Sequence, residues 1–309
     1  MNIQTIALIG AGAIGAVYTK HLHQYYGNSF AVIAAGERAQ RIKKDGVTLN
    51  GNTFFPRMIT GAKNDFTADL ILVCVKNYHL DRAMEDIRHV AGKHTIILPL
   101  LNGITARDGV LERYPDNHVL YGLAIYIDAV RTREGVVATK DGIIQLGDAV
   151  NAPPGTAVTA VSNALARAGI GTEVCPDMIR TIWKKWMLNV GCNQITALTR
   201  APYGRFAGSC AAQALFLEAM MEVVSLAKAA NVNLTEADAQ EFAALMRTFS
   251  PLGKTSMLQD VEAGRKTEVE SFGGTVCKLG RSLGVATPVN DMLTRLITAT
   301  EQANSSVSC

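Results

Sequence analysis

Two hydrophobic patterns follow one another along the chain, and the change between them divides it. In the first half, short apolar runs are separated by amphipathic stretches: "TIALIG" passes through a glycine-rich turn into "AVYTKHLHQYYG", and "FAVIAAG" follows as a second run. That succession predicts a strand, a helix and a parallel strand, the opening unit of a doubly wound sheet. "ADLILVCVK" (68–76) and "TIILPLLNG" (95–103) are unbroken apolar runs of the kind expected for parallel strands covered on both faces. Alternation continues to about Leu111, after which "VLYGLAIYIDAV", "GVVATK" and "IIQLGD" read as further strands joined by turns at "REG" and "DG".

Beyond the Pro/Gly loop "NAPPG" (151–155) and a helix over 156–168, the period lengthens. From about Pro176 strand signals vanish, and helical periodicity predicts 177–199, 209–230, 235–248 and a further series to about 302. The expected fold class is α/β: a doubly wound domain over 1–175, then an all-helical domain over 176–309. The polar tail "NSSVSC" is expected to fray.

Composition narrows the chemistry. At 309 residues the chain exceeds the ~100–200 of one typical domain, and 48% apolar with 18% charged residues predicts a well-buried globular protein. The net charge is +3 with Lys and Arg scattered, which argues against a nucleic-acid surface and for a small or anionic ligand. Six cysteines are widely spaced, without a C-x-x-C pair or a zinc-type cluster, so most read as buried thiols and no metal is expected. The N-terminus lacks a basic leader, and no apolar run approaches the ~20 residues of a membrane span. The expectation is a soluble, reduced, cytoplasmic protein with no membrane partner.

Gly10, Gly12 and Gly15 form G-A-G-A-I-G between a strand and a helix. Glycines there permit a tight turn and close backbone approach, while the helix N-terminus offers unpaired N–H groups to a pyrophosphate. The context favours dinucleotide binding over a turn that merely needs glycine. Past the second strand stand Glu37 and Arg38, followed by Arg41, Lys43 and Lys44. An acid would bind the ribose 2′-OH of NAD and a base the 2′-phosphate of NADP, so the basic surplus favours NADP.

The helix over 177–199 carries an anomaly. Lys185, Asn189 and Asn193 recur every four residues in "WKKWMLNVGCNQITALT", so each lies roughly 40° from the last in one narrow stripe of an otherwise apolar helix. Buried amides need partners, and a buried ammonium needs pairing or a lowered pKa. Either the amides satisfy core backbone groups while Lys185 snorkels outward, or the stripe lines a site; three polar residues in line favour the site. Further on, Ser256 and Asp260 lie one turn apart on a helix that Gly264 ends. "TEVE" (267–270) matches a capping box with Thr267 as N-cap and Glu270 at the third position; Glu268 in the first turn would either stabilise that terminus or serve a site.

These pieces together resemble the ketopantoate reductase (2-dehydropantoate 2-reductase) family over nearly the whole chain. The matching segments are "IGAGAIG", "VKNYHLDRA" (75–83), "LNG" (101–103), "WKKWMLNVGCNQITAL" (183–198), "SMLQD" (256–260), "GRKTEVE" (264–270) and "GVATPVN" (284–290). The resemblance implies a Rossmann-like domain, NADPH as cofactor, and reduction of a 2-keto acid, ketopantoate to pantoate in pantothenate biosynthesis, with substrate held between the two domains. It implies that Lys185 is the general acid and that Glu268 helps place the substrate and its proton network. By the same resemblance Asn189 and Asn193 bind substrate oxygens, Ser256 binds its carboxylate, and Lys76 and Asn102 stand beside the nicotinamide ribose. Three positions depart from the family: Ala35 replaces the arginine that often binds the 2′-phosphate, leaving that task to Arg38 or Arg41, Gly253 replaces a substrate-binding asparagine, and Leu101 replaces a glutamine. Other readings are a related hydroxy-acid or polyol-phosphate dehydrogenase, or a non-catalytic nucleotide-dependent regulator. The apolar helices 209–230 and 267–283 could bury a homodimer face as readily as an intramolecular core.

Overall fold

A computed structural model of the chain describes residues 2–61 and 65–304; the polar tail from 305 on, with Cys309, lies outside the described residues. The chain forms two compact units, Met1–Ile179 and Arg180–Cys309.

In the first unit, β1 (Ile6–Ile9) runs into α1 (Ala13–Tyr26), and β2 (Phe30–Ile33) into α2 (Gly36–Asp45). A short hairpin of β3 (Val47–Leu49) and β4 (Asn52–Phe54) precedes β5 (Arg57–Ile59) and β6 (Ala68–Val73). Then come α3 (Leu80–Ile87), β7 (Ala91–Pro99), α4 (Ala106–Arg113) and β8 (His118–Val119). Among the described residues six of these strands form one parallel sheet in the order β5-β2-β1-β6-β7-β8. Renumbered within the sheet this is 3-2-1-4-5-6, the doubly wound Rossmann order, whose strand order reverses beside β1. The reason for the continuous apolar runs is plain here: every residue of β1 and β2 is buried, because both sheet faces are covered.

The second sheet of this unit centres on β9 (Tyr121–Arg131) and β10 (Val136–Gly147), antiparallel from Arg131↔Val136 to Tyr121↔Gly147. It continues β11-β10-β3-β4, with β11 (Gly171–Val174) following α5 (Thr156–Arg167). The "REG" turn forms, closed by Thr132 N–H donating to Gly135 O at 2.8 Å. The expected turn at "DG" does not: Asp141 and Gly142 lie inside a single strand whose register shifts between Ala138 and Lys140. Gly142 adopts φ +66, where a Cβ would stand 2.4 Å from Ile125 O, and Tyr126 on the facing strand adopts φ +55. Glycine at that point lets two long strands bend together rather than ending one of them.

The second unit contains no strand among its described residues. Its helices are α6 (Met178–Thr199), which begins just before the unit boundary, α7 (Tyr203–Ala207), α8 (Cys210–Ala229), α9 (Glu236–Leu245), α10 (Ser256–Glu262), α11 (Gly273–Leu283) and α12 (Pro288–Asn304). Two expectations need correcting. Contrary to the expectation that no run reaches a membrane span, α8 is long and apolar enough to cross one by length and composition. Its Phe216, Ala219, Met220, Val223 and Leu226 are nonetheless buried, and its Glu222 accepts from the backbone N–H groups of Val289 and Asn290, so one face of it packs inside this unit. The capping box at "TEVE" also fails to form. Thr267 Oγ1 accepts from Val269 N–H, a 3-10 turn occupies Val269–Ser271, and α11 starts only at Gly273, so Glu270 caps nothing and Glu268 precedes the turn.

An acidic N-terminal anchor instead appears on α9. The Asp238 carboxylate accepts from Thr235 N–H at 2.9 Å and from Arg180 at 2.8 Å, with Lys184 Nζ at 3.2 Å. Burial pushes the carboxyl up, but the Thr235 N–H, Arg180, Lys184 and the Thr235 hydroxyl outweigh it and hold the group at about 2. Its contribution is therefore present above the ordinary carboxylate range and is lost as pH falls toward 2. Asp238→Asn should lower stability by on the order of 1 kcal/mol at neutral pH, allowing for solvent around the cationic ends, and denaturant titrations should show that difference shrinking below about pH 4.

Candidate functional site

In the first unit the glycine turn sits at the C-terminal end of β1, where the strand order reverses. Two of its glycines are required by the protein itself. Gly10 adopts φ +100 and a Cβ there would stand 2.6 Å from the Cys74 carbonyl carbon; a Cβ on Gly15 would stand 2.1 Å from Gly10 O. Gly12 is different: nothing lies within 4 Å of the place its Cβ would take. It begins α1, which has neither a side-chain cap nor an acid in its first turn. Open space over a helix N-terminus with uncapped N–H groups fits a pyrophosphate that approaches the backbone closely.

The expected neighbours gather at the same ends of the strands. Lys76 follows β6 and begins a 3-10 turn over Asn77–His79, and Asn102 follows β7. Asn77 Nδ2 donates to Asn102 O at 2.8 Å, which ties the two loops together. Arg38 lies in the first turn of α2 and lines an open depression of about 610 Å³ with Glu37, Arg41 and Arg131. Arg131, at the end of β9, escapes sequence reading because it lies 93 positions from Arg38 and only the second sheet brings it there. Ala35 takes no part in that basin.

The second unit holds the polar stripe. Lys185 and Asn189 are half-buried on α6, and Asn193 is buried with 4% of its surface exposed. Asn193 Nδ2 donates to Asn189 Oδ1 at 3.1 Å, while Asn193 Oδ1 accepts from Met257 N–H at 3.2 Å and Ser256 Oγ at 3.3 Å. Thus Ser256, exposed as the first residue of α10, meets the stripe, whereas Asp260 turns inward and pairs with Arg265 at 2.9 Å. Glu268 is 4% exposed. Its segment is fixed on one side by Thr267 N–H donating to Glu301 at 2.6 Å, and on the other by Trp186 Nε1–H donating to Ser271 O at 3.0 Å.

Two adjacent lysines on α6 show what the environment does. For Lys184, burial pulls downward, but the carboxylates of Glu241 and Asp238 overcome it and raise the ammonium above its usual value. For Lys185, burial dominates, and although the charge of Glu268 pulls upward, the group is held down to about 8. A lysine titrating there carries a proton at neutral pH and releases it far more readily than a free one. The site can therefore present a labile cation, amide groups from Asn189 and a hydroxyl from Ser256 to an oxygen-rich ligand.

Glu268→Gln removes the charge that favours the ammonium, so the Lys185 midpoint should move below 8. Nζ-detected NMR titration checks this directly, and an unchanged midpoint would separate the two groups electrostatically.

Two profiles of one family match the chain: ketopantoate reductase PanE/ApbA over residues 6–151, and ketopantoate reductase PanE/ApbA C terminal over residues 177–301. The 2-dehydropantoate 2-reductase of Pyrobaculum aerophilum is 30% identical over 301 residues, covering 96% of this chain and 98% of that one. The solved 2-dehydropantoate 2-reductase from Methylococcus capsulatus aligns with a TM-score of 0.84 at 26% identity, over 98% of each chain. A ternary structure of D-mandelate dehydrogenase with NADH and anilino(oxo)acetate aligns with a TM-score of 0.87 at 25% identity, over 97% of this chain and 99% of that one. With the glycine cradle inside the first matched region and the α6 stripe inside the second, the chain belongs to the ketopantoate reductase family of oxidoreductases.

Proposed function

We propose that this protein reduces a 2-keto acid with NADPH, and that 2-dehydropantoate is its substrate and pantoate its product, a step of pantothenate biosynthesis in the cytoplasm. The observation that carries the reading is Lys185: a lysine held down to about 8 by burial, in line with two amides, in a family of reductases. Gly10, Gly12, Gly15 and the first turn of α1 would hold the pyrophosphate, Arg38, Arg41 and Arg131 the 2′-phosphate, and Lys76 and Asn102 the nicotinamide ribose. The bound nicotinamide supplies a hydride to the keto carbon.

This chain's own residues manage the charge that results. As the keto oxygen becomes an alkoxide, the Lys185 ammonium stabilises it and gives up the Nζ proton to it, leaving a neutral amine and an alcohol. Glu268 opposes the loss of that proton from the resting enzyme and so keeps the acid loaded at neutral pH. Asn189 and Ser256 orient the keto acid through its remaining oxygens.

A second reading is favoured by the D-mandelate dehydrogenase likeness and by Gly253, where the family places an amide: a related hydroxy-acid dehydrogenase that uses NADH. Steady-state assays with 2-dehydropantoate and other 2-keto acids, each with NADPH and NADH, separate the two. The expected result is the highest kcat/KM for 2-dehydropantoate with NADPH; a higher kcat/KM for another 2-keto acid with NADH would overturn it.

Three further outcomes follow from the same residues. Lys185→Ala should lower kcat by about 10²–10⁴-fold while NADPH still binds. In the wild type, kcat/KM for reduction should be flat below pH 8 and fall above it, because the acid must be protonated. Arg131→Ala should raise the KM for NADPH about tenfold and leave that for NADH unchanged, since only the former carries the phosphate.

A further inference from the structure

We propose that Glu301, near the end of α12, is a positioning residue for the reductase site: its carboxylate holds the backbone at Thr267 and thereby fixes the Glu268 side chain that acts on Lys185. The placement rests on hydrogen bonding and burial alone; its catalytic consequence rests on the 2-keto acid reading above.

The need for Glu301 arises in the stretch between α10 and α11. Gly264 follows α10 with φ +62, and the chain then reaches Thr267, Glu268 and Val269, all buried, before the next regular helix begins. Backbone groups buried outside a helix or sheet need partners from elsewhere. Part of that demand is met locally. Glu268 O accepts from Ser271 N–H at 2.9 Å, Val269 O from Phe272 N–H at 3.1 Å, and Thr267 Oγ1 from Val269 N–H at 3.3 Å. The Thr267 N–H is met from a distance: its acceptor is Glu301 Oε1 at 2.6 Å, on a side chain 34 positions further along. So short a bond to a carboxylate is charge-assisted, roughly twice as strong as a neutral one.

Glu301 can act as a fixed point because α12 is itself held. Asn290, Leu293 and Ile297 are buried along one face of that helix, and Glu301 lies one turn beyond Ile297 on the same face. At the other end the Glu222 carboxylate of α8 accepts from the N–H groups of Val289 and Asn290, and Asn290 Oδ1 accepts from Gln194 Nε2 of α6 at 2.9 Å. The helix is thus a strut that runs from α6 and α8 to the Glu268 segment. Trp186 of α6 grips the same segment at Ser271 O, so Glu268 stands between two clamps, one at residue 267 and one at residue 271. A buried carboxylate in a stretch without regular structure keeps its place only as long as its backbone does.

That place matters to the candidate acid. Neighbouring charges are paired with one another, Lys184 with Asp238 and Glu241, and Arg265 with Asp260. The carboxylate that acts on Lys185 is Glu268, which favours the ammonium against the effect of burial. Displacing Glu268 therefore lowers the Lys185 midpoint and empties the acid at a lower pH.

Nζ-detected titration of Lys185 in Glu301 variants, with and without Glu268, tests the proposal. Glu301→Ala removes the acceptor, and the midpoint should fall by about 0.5–1 pH unit. Glu301→Gln keeps an oxygen for the Thr267 N–H and should hold the wild-type midpoint. In a Glu268→Gln background Glu301→Ala should give no further shift, because the effect passes through Glu268. With 2-dehydropantoate and NADPH, Glu301→Ala should lower kcat/KM about two- to fivefold at pH 8 and less at pH 6, where Lys185 is protonated in each variant. A wild-type midpoint in folded Glu301→Ala would leave Glu301 a structural role only, and a shift that persists without Glu268 would mean a direct action on Lys185; either result overturns the proposal. Backbone amide exchange of the wild-type protein needs no variant to fold: the Thr267 amide should exchange slowly, and fast exchange overturns the proposal. If the wild type reduces no 2-keto acid, the catalytic reading fails while the Nζ titration still decides the placement.

Discussion

Polar groups placed on an apolar helix have to be satisfied within the fold, and in the helical unit that requirement organises everything near α6. Asn193 is almost fully buried, and an unmade hydrogen bond there would destabilise the protein by roughly 1–3 kcal/mol. The partners that prevent this come from the first turn of α10, so satisfying one amide also fixes where Ser256 and Met257 sit. Trp186 applies the same rule to a different segment: its indole N–H reaches Ser271 O and holds the stretch that carries Glu268. The candidate acid, its carboxylate neighbour and the amides are thus arranged by the same hydrogen bonds that make the helix tolerable in a core.

The first unit is governed by a steric constraint instead. Gly10 and Gly15 let the turn after β1, the start of α1 and the end of β6 approach more closely than side chains would permit. That approach brings the N-terminus of α1 against the strand ends at the reversal of strand order, leaving Gly12 open above it. The β9–β10 hairpin adds what the parallel sheet cannot, a basic residue opposite α2, because its long bent strands carry Arg131 to the arginines near the end of β2.

Electrostatics completes the chemistry through contrast. Lys184 and Lys185 are neighbours in sequence, yet one faces Asp238 and Glu241 and is held as a firm cation, while the other faces the interior and yields its proton near pH 8. A single helical step, about 100° of rotation, is enough to exchange a structural ion pair for a candidate general acid.

Periodicity and punctuation in the sequence determined a great deal. Continuous apolar runs marked the parallel strands, since both faces of that sheet are covered; the glycine spacing marked the cradle; and four-residue spacing put Lys185, Asn189 and Asn193 on one line, because the helix repeat is a local property. Tertiary structure decided whatever depends on partners distant in sequence. It made Gly142 a bend within a strand rather than a turn, left Thr267 to a 3-10 turn and gave α9 the acidic anchor. It also packed one face of α8 inside the helical unit, and added Arg131 to the basin. Most of all it decided how the stripe is satisfied. Spacing made Asn189 and Asn193 equivalent, and only the Met257 N–H, contributed by another helix, singles out Asn193 as the buried amide held against α10.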